Sequence, residues 1–483
     1  MGFLLGFKTR RIDASSLLAQ ALEALNLADK GWKLWITLNH EAYSSLSLEE
    51  ALSLLKQPSN LCLAGSFQEE DVDGFPPRRL SGGWLAAGSG RILSWGSLTL
   101  ESLRLSREAL ERLASQVRGS YLLLFWNLEG EIWAVRDPLG LEPLYFKVSP
   151  GIIAFSTARK PLWRIGLKGL ERLNPGWAAC FSPEAFQAFQ VSRLEVPPKS
   201  FSLEEAARTL ASQLEETFKL SAAGLKGKVG VLFSGGLDSF LTAYLLAGEG
   251  LKATLYTAGF EGSRDIASAE EAAQILNLPL KTETLKVEDF GRLVDKAVYA
   301  SERFNPLDVS IVIPLQAAAS KAKRDRVNLL FTGQGFDELF GGYAKYVSIL
   351  AREGWEGLGE ALKRDVLNLA EANLERDSLA ALDSAVKLEL PAGDLPLVQL
   401  ALSFPPQLKV LSPEDRLRKR VLREAALRLG LPESLALKPK KAVQYGSGTL
   451  KALKAEAGKH GLKLEEYLAG RFRQVFGLRP QEA

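Results

Sequence analysis

Cysteine, histidine and methionine are nearly absent: 483 residues carry two cysteines, two histidines and one methionine. Cys62 and Cys180 stand far apart and form no CxxC pair, which argues against a disulfide framework or a thiolate zinc site and fits a reducing compartment. His40 and His460 leave no cluster for a histidine metal site or a Ser-His-Asp triad, and each reads as a surface or helix-end residue. No apolar run approaches the ~20 residues a membrane span needs. Met1 to Arg11 shows neither a basic leader nor a small-residue cleavage site, so a cytoplasmic protein is expected. The formal charge of +3 argues against a dominant nucleic-acid or membrane-surface role.

What is present is the composition of a soluble globular chain, 46% apolar and 24% charged, long enough for roughly two to four domains. The first ~190 residues read as short strands broken by turns: 32–38, 120–126, 131–135 and 151–156 are the clearest. Paired prolines at Val196-Pro197-Pro198-Lys199-Ser200 mark a boundary, and Ser202 then caps a helix. Beyond it strands at 229–233, 253–257 and 328–332 alternate with helices, which predicts a parallel, doubly wound sheet with ligands at its carboxyl edge. After about Ala351 the pattern is almost wholly helical.

Three segments carry chemistry. In Ser234-Gly235-Gly236-Leu237-Asp238-Ser239, directly after a buried strand, the glycines let backbone amides approach a ligand at a helix N-terminus, an anion site. Asp238 beside phosphates is repulsive unless a divalent cation bridges them, which points to Mg²⁺. The rival phosphate loop GxxxxGK[ST] is absent. Thr332-Gly333-Gln334-Gly335-Phe336-Asp337-Glu338 follows another strand, so Asp337 should reach the same edge as Asp238. Lys438-Pro439-Lys440-Lys441 sits in a Pro/Gly-punctuated loop that suits a cation aimed at developing negative charge.

Together these segments resemble the synthetase domain of asparagine synthetases, from about Phe201 to Gly448. That family carries a Ser-Gly-Gly-Leu-Asp-Ser pyrophosphate loop, a later T/S-G-E-G-x-D-E-L-F-G-G-Y segment and a catalytic lysine in an R-P-K-like loop. Leu255 to Asp265 resembles its adenine-side strand, and Lys440 to Gly448 looks most like archaeal members. The resemblance implies an ATP-pyrophosphatase domain over 200–483 that adenylates a carboxylate with Mg-ATP and passes it to ammonia, converting aspartate to asparagine with release of AMP and pyrophosphate. It assigns nucleotide contacts to Leu232, Ser234, Gly235, Gly236, Leu237, Ser239, Thr257, Gly259, Thr332, Gly333 and Gly335. Mg²⁺ goes to Asp238 and Asp337, and catalysis to Asp238, Gln334 and Lys440. A homodimer is the expected assembly, with no nucleic-acid or membrane partner.

The segment 1–195 resembles the family's glutaminase domain more faintly. Ala134-Val135-Arg136-Asp137-Pro138-Leu139-Gly140 through Pro143-Leu144-Tyr145-Phe146 is similar to its A-R-D-x-x-G-x-x-P-L-Y-Y signature, and Asn174-Pro175-Gly176 to its P-P-G turn. An antiparallel αββα sandwich of the N-terminal-nucleophile type is implied. Such glutaminases use a cysteine exposed as the first residue after Met removal; here that position is Gly2, and no N-G-E segment is found. Glutamine hydrolysis is therefore not expected, and the domain reads as a relic or as a module with another binding role. Gln334 stands where the family has a glutamate, and cannot take a proton. Lys387-Leu388-Glu389-Leu390-Pro391-Ala392-Gly393-Asp394 replaces the family's E-x-R-x-P-F-L-D; a second alignment keeps Glu389 in the glutamate position. Either way substrate selection can depart from aspartate. A relative using another amine, as β-lactam synthetases and lasso-peptide cyclases do, and a non-catalytic nucleotide-binding scaffold both stay open.

Overall fold

The computed structural model describes all residues except 1–2, 11, 26, 28–31, 39–40, 68–74, 183–185, 198, 440–446 and 483. It falls into two compact units, Met1–Arg193 with Ala469–Ala483, and Leu194–Leu468. The tail at Ala469–Ala483, which the sequence grouped with the second half, therefore packs with the first. Phe472 and Phe476 set their rings edge-on to Trp163, and Lys168 pairs with Glu482 at 2.9 Å.

The first unit is built on two antiparallel sheets. One holds seven strands in the order 171–172, 145–149, 152–156, 4–9, 61–67, 33–38, 41–46; the other holds six, ordered 186–190, 177–181, 132–136, 118–126, 85–94, 75–79. Period-two alternation decides which face of a strand is which. Along Arg118–Trp126, Leu122, Leu124 and Trp126 point to the inter-sheet core, where they meet Leu4, Leu63 and Phe155. Trp35 and Trp126 stack there with ring centroids 6.3 Å apart. The alternate residues Tyr121, Leu123 and Phe125 face outward and pack with Leu110 and Leu113 of the helix Arg107–Gln116. On the far side the helix Ala14–Glu23 lies on the first sheet, its Ser15 hydroxyl 3.3 Å from the Cys62 sulfur. The result is the expected helix–sheet–sheet–helix sandwich.

In the second unit a five-stranded parallel sheet is ordered Leu280–Leu285, Lys252–Phe260, Lys228–Leu232, Leu329–Phe331, Lys387–Glu389. The chain winds one way from the central strand, then crosses to its other side. The crevice opens at that reversal, between the carboxyl ends of Lys228–Leu232 and Leu329–Phe331. Helices Leu237–Gly248, Arg264–Leu276 and Pro306–Arg324 supply the crossovers. Two strands were not read from the sequence. Leu280–Leu285 (LKTETL) sets four polar residues between two leucines, so it carries little apolar period to mark it, and Lys387–Glu389 interrupts what reads as continuous helix. No described helix is long and apolar enough to cross a membrane.

Candidate active site

The reversal point is a cavity of about 500 Å³. Its floor is the loop Ser234–Ser239. Gly235 takes φ +69°, and a Cβ there would lie 2.1 Å from the Ser268 carbonyl oxygen, so both conformation and space require glycine. Gly236 caps the helix Leu237–Gly248 with no side-chain hydrogen bond, leaving the first-turn amides open to an anion. The Ser239 hydroxyl accepts from the Ser234 amide at 3.2 Å and lies 3.3 Å from the Ser234 hydroxyl, which ties the loop's two ends.

The second loop, Thr332–Asp337, forms the facing wall. Asp238 and Asp337 converge on one cation, the ammonium of Lys419: it stands 2.5 and 2.6 Å from the two Asp238 oxygens and 2.6 Å from Asp337 Oδ1. Lys419 is 2% exposed. Burial pulls its pKa below the ordinary lysine value, with Asp238 opposing. Two hard oxygen donors that reach a single atom from separate loops are spaced for one divalent cation, so the residues present fit Mg²⁺. Among the described residues there is no cluster of three or more His, Cys, Asp or Glu side chains that could hold a metal. The phosphates of a nucleotide would have to supply the rest of the coordination.

Gln334 also lines the cavity, and its amide nitrogen donates to Asp377 at 2.8 Å. Asp377 is fully buried and holds Arg376 at 2.7 Å; Arg376 in turn holds Asp308 at 2.7 Å. Glu338 accepts from Tyr343 at 2.6 Å and from Asn373 at 2.7 Å, and burial raises its pKa. The glycine-rich loop is thus pinned to the π-turn Ala370–Leu374 and the helix after it through two side chains. Asp265 lines the opposite wall, its carboxyl pushed up to about 6 by burial. The helix Pro306–Arg324 contributes an apolar wall from Ile311, Pro314, Leu315 and Ala318.

Of the residues singled out from sequence, Leu232, Ser234, Gly235, Gly236, Leu237, Asp238, Ser239, Thr257, Thr332, Gly333, Gln334 and Asp337 all line this cavity. Gly259 and Gly335 do not. A Cβ on Gly259 would crowd the Ser263 hydroxyl at 2.6 Å, and Gly335 caps the helix Phe336–Phe340 at φ +92°. Both are shaped by packing and turn geometry. Lys440 lies outside the described residues, although Lys438 and Pro439 beside it line the cavity; the Lys438 ammonium lies 3.0 Å from the Ser268 hydroxyl and 3.2 Å from Glu271. Asp394 is buried and accepts from the Thr217 hydroxyl at 2.6 Å, and Lys387 and Glu389 belong to the edge strand. None of these three is among the cavity-lining residues.

Lys419 was missed. A signal was available in Arg416-Leu417-Arg418-Lys419-Arg420, a basic run at the start of the helix Arg420–Arg428, where the helix dipole disfavours cations.

In the first unit the Arg136-Asp137 signature is architectural. The buried Arg136 guanidinium donates to the carbonyls of Gly140, Glu142 and Leu173, while Asp137 accepts from the amides of Leu139, Leu141 and Glu142. The Gly176 amide donates to the Asp137 carbonyl, so the two resembling segments form one corner. Position 2 lies outside the described residues. Neither cysteine is set up as a nucleophile. Burial raises the Cys62 thiol, and burial with Glu131 nearby pushes Cys180 to about 11.

Residues 210–354 and 350–468 match the family model described as asparagine synthase. Over 409 residues the chain is 31% identical to a provisionally named glutamine-hydrolyzing asparagine synthetase 1 of Methanocaldococcus jannaschii, covering 74% of this chain and 75% of that protein. It is 24% identical over 293 residues to asparagine synthetase 1 of Bacillus subtilis, covering 55% and 46% respectively. Against asparagine synthetase 1 of Saccharomyces cerevisiae it is 25% identical over 361 residues, covering 64% and 60%. The chain thus spans three quarters of the archaeal relative and about half of the bacterial one. With an interlocked pair of glycine loops at the sheet reversal and this breadth of match, the chain belongs to the asparagine synthase family.

Proposed function

We propose that the second unit is an ATP-dependent amide ligase that adenylates the side-chain carboxylate of aspartate and transfers ammonia to it, releasing asparagine, AMP and pyrophosphate. The observation that carries this reading is the meeting of Asp238 and Asp337, one from each glycine loop, in a single cavity at the reversal of a parallel sheet. The first-turn amides of the helix Leu237–Gly248 suit the β- and γ-phosphates, and Ile311, Pro314 and Leu315 offer an apolar face to the purine. Mg²⁺ held by Asp238 and Asp337 would neutralise charge on the departing pyrophosphate. Lys440 would add a cation to that same leaving group.

Gln334 has a positioning role. Its amide nitrogen is committed to Asp377, so it can orient a nitrogen nucleophile but not deprotonate it. The proton lost on attack goes to another acceptor, which suits ammonia delivered as the free base. The two inert thiols support ammonia rather than glutamine as the donor.

The test is mass spectrometry of products from protein incubated with Mg-ATP, ammonium and a pool of amino acids. Asparagine, AMP and pyrophosphate in equal amounts are expected, with no glutamate released when glutamine replaces ammonium. Pyrophosphate release only with a different amine would favour the β-lactam synthetase-like reading. ATP binding without turnover for any acid would refute the ligase reading.

A further inference from the structure

Lys419 is held in place by more structure than a surface lysine needs. Arg418 and Lys419 both adopt left-handed backbone, φ +57° and +54°, which side chains other than glycine rarely take. The Asp415 carboxylate accepts from the amides of Leu417 and Arg418, at 2.9 and 2.8 Å, and stabilises the turn from one side. From the other side the Arg423 guanidinium donates to the carbonyls of Leu417, Arg418, Ala436 and Lys438. Arg423 thereby also ties the turn to the segment that leads into the Lys440 loop. Gly342 completes the path for the side chain. A Cβ there would lie 1.8 Å from Asp337 Oδ1 and 2.2 Å from Lys419 Cε. The strained turn, its clamp and this glycine all serve one outcome: a buried ammonium lodged between the two carboxylates best suited to a metal.

We propose that Lys419 is a displaceable internal cation. In the nucleotide-free protein its ammonium takes the position between Asp238 and Asp337 that a divalent ion takes with nucleotide, so metal enters together with the nucleotide and not ahead of it. An ammonium within 2.6 Å of both carboxylates leaves no room for a second cation between them and repels one approaching. A triphosphate supplies what Lys419 needs in order to move, a new anion for a flexible four-carbon stem to reach. Metal and nucleotide sites are then coupled through one side chain, and linkage makes the coupling reciprocal. This inference rests on the Mg-nucleotide reading above.

The test is Mn²⁺ binding followed by electron paramagnetic resonance, without nucleotide and then with α,β-methylene-ATP, which the enzyme cannot cleave. Wild-type protein should bind Mn²⁺ weakly alone and take up one ion with the analogue. Lys419→Met and Lys419→Gln should each bind Mn²⁺ without nucleotide more tightly than wild type, by roughly tenfold or more. Asp238→Asn should abolish that gain. Unchanged nucleotide-free affinity in the folded Lys419 variants, with the wild-type ternary complex intact, overturns this inference alone. Absence of Mn²⁺ binding in every protein even with the analogue overturns the metal reading as well. Should neither Lys419 variant fold, wild type decides: tight stoichiometric Mn²⁺ binding without nucleotide overturns the proposal, and uptake only with the analogue supports it.

Discussion

Replacing Lys409 with methionine should make the protein more stable at neutral pH. This lysine is 2% exposed, beside Val410 of an apolar cluster that includes Tyr346, Leu350, Leu358 and Leu362. Among the described residues its ammonium has neither an ion-pair nor a hydrogen-bond partner. Burial alone lowers its pKa from 10.5 to about 7. At about 1.4 kcal/mol per unit the shift corresponds to on the order of 5 kcal/mol, an upper bound that local relaxation and water reduce to about 2–4. The sign follows from proton counting. Between pH 7 and about 10.5 the unfolded chain binds the proton and the folded chain does not, so wild-type stability rises with pH across that window. Below pH 7 both states are protonated and the full cost of burying the charge applies. Methionine fills a similar volume without a charge. Urea unfolding followed at 222 nm, which weights the helical second unit, should show Lys409→Met more stable by about 2–4 kcal/mol at pH 6.5. By pH 9.5 the gap should shrink to about 1 kcal/mol or less. A gap of equal size at both pH values, or a destabilised variant at pH 6.5, would refute the reasoning.

Three further outcomes are expected. Gln334→Glu sets a carboxylate against Asp377 and should cost about 1–3 kcal/mol, and pairing it with Asp377→Asn should recover much of that by exchanging donor and acceptor. A double variant no better than the sum of the singles sinks the pairing. Gly342→Ala forces Asp337 and Lys419 apart; overpacking of this kind costs about 1–3 kcal/mol, and ATP-dependent pyrophosphate release should fall below detection, so full activity would show that the interlock is dispensable. Thr217→Val removes the hydroxyl partner of buried Asp394 and should lower stability by about 1–3 kcal/mol while leaving the KM for aspartate unchanged; a raised KM would return Asp394 to the substrate site.

Much of the site is local chemistry and was readable without coordinates. Strand, paired glycines and helix start occur within one stretch from Val229 to Tyr244, and the anion nest they make depends only on backbone geometry near those residues. The same holds for Thr332–Asp337, because two loops that follow parallel strands emerge on one edge. Harder to read were the residues whose role depends on distant partners. Glu338 and Asn373 meet across the fold, as do Gln334 and Asp377, and a one-dimensional pattern gives neither pairing. Gly259 and Gly335 resembled nucleotide contacts because glycine in a loop looks alike whether it admits a ligand or a neighbouring side chain. The edge strand at Lys387–Glu389 is only three residues long, too short for period-two alternation to stand out from the helices around it.

By itself the sequence determined the two architectures, the sheet edge on which chemistry sits, and the two carboxylates that meet there. Hydrophobic period and glycine placement act over a few residues and survive in any environment. Only the tertiary structure decided what stands between those carboxylates. Lys419 is 181 residues from Asp238, and its ammonium reaches that place through a left-handed turn held by Asp415 and Arg423 and past the missing side chain of Gly342. The charge balance of the site is a property of the packed fold, because Coulomb attraction depends on distance in space and takes no account of distance along the chain.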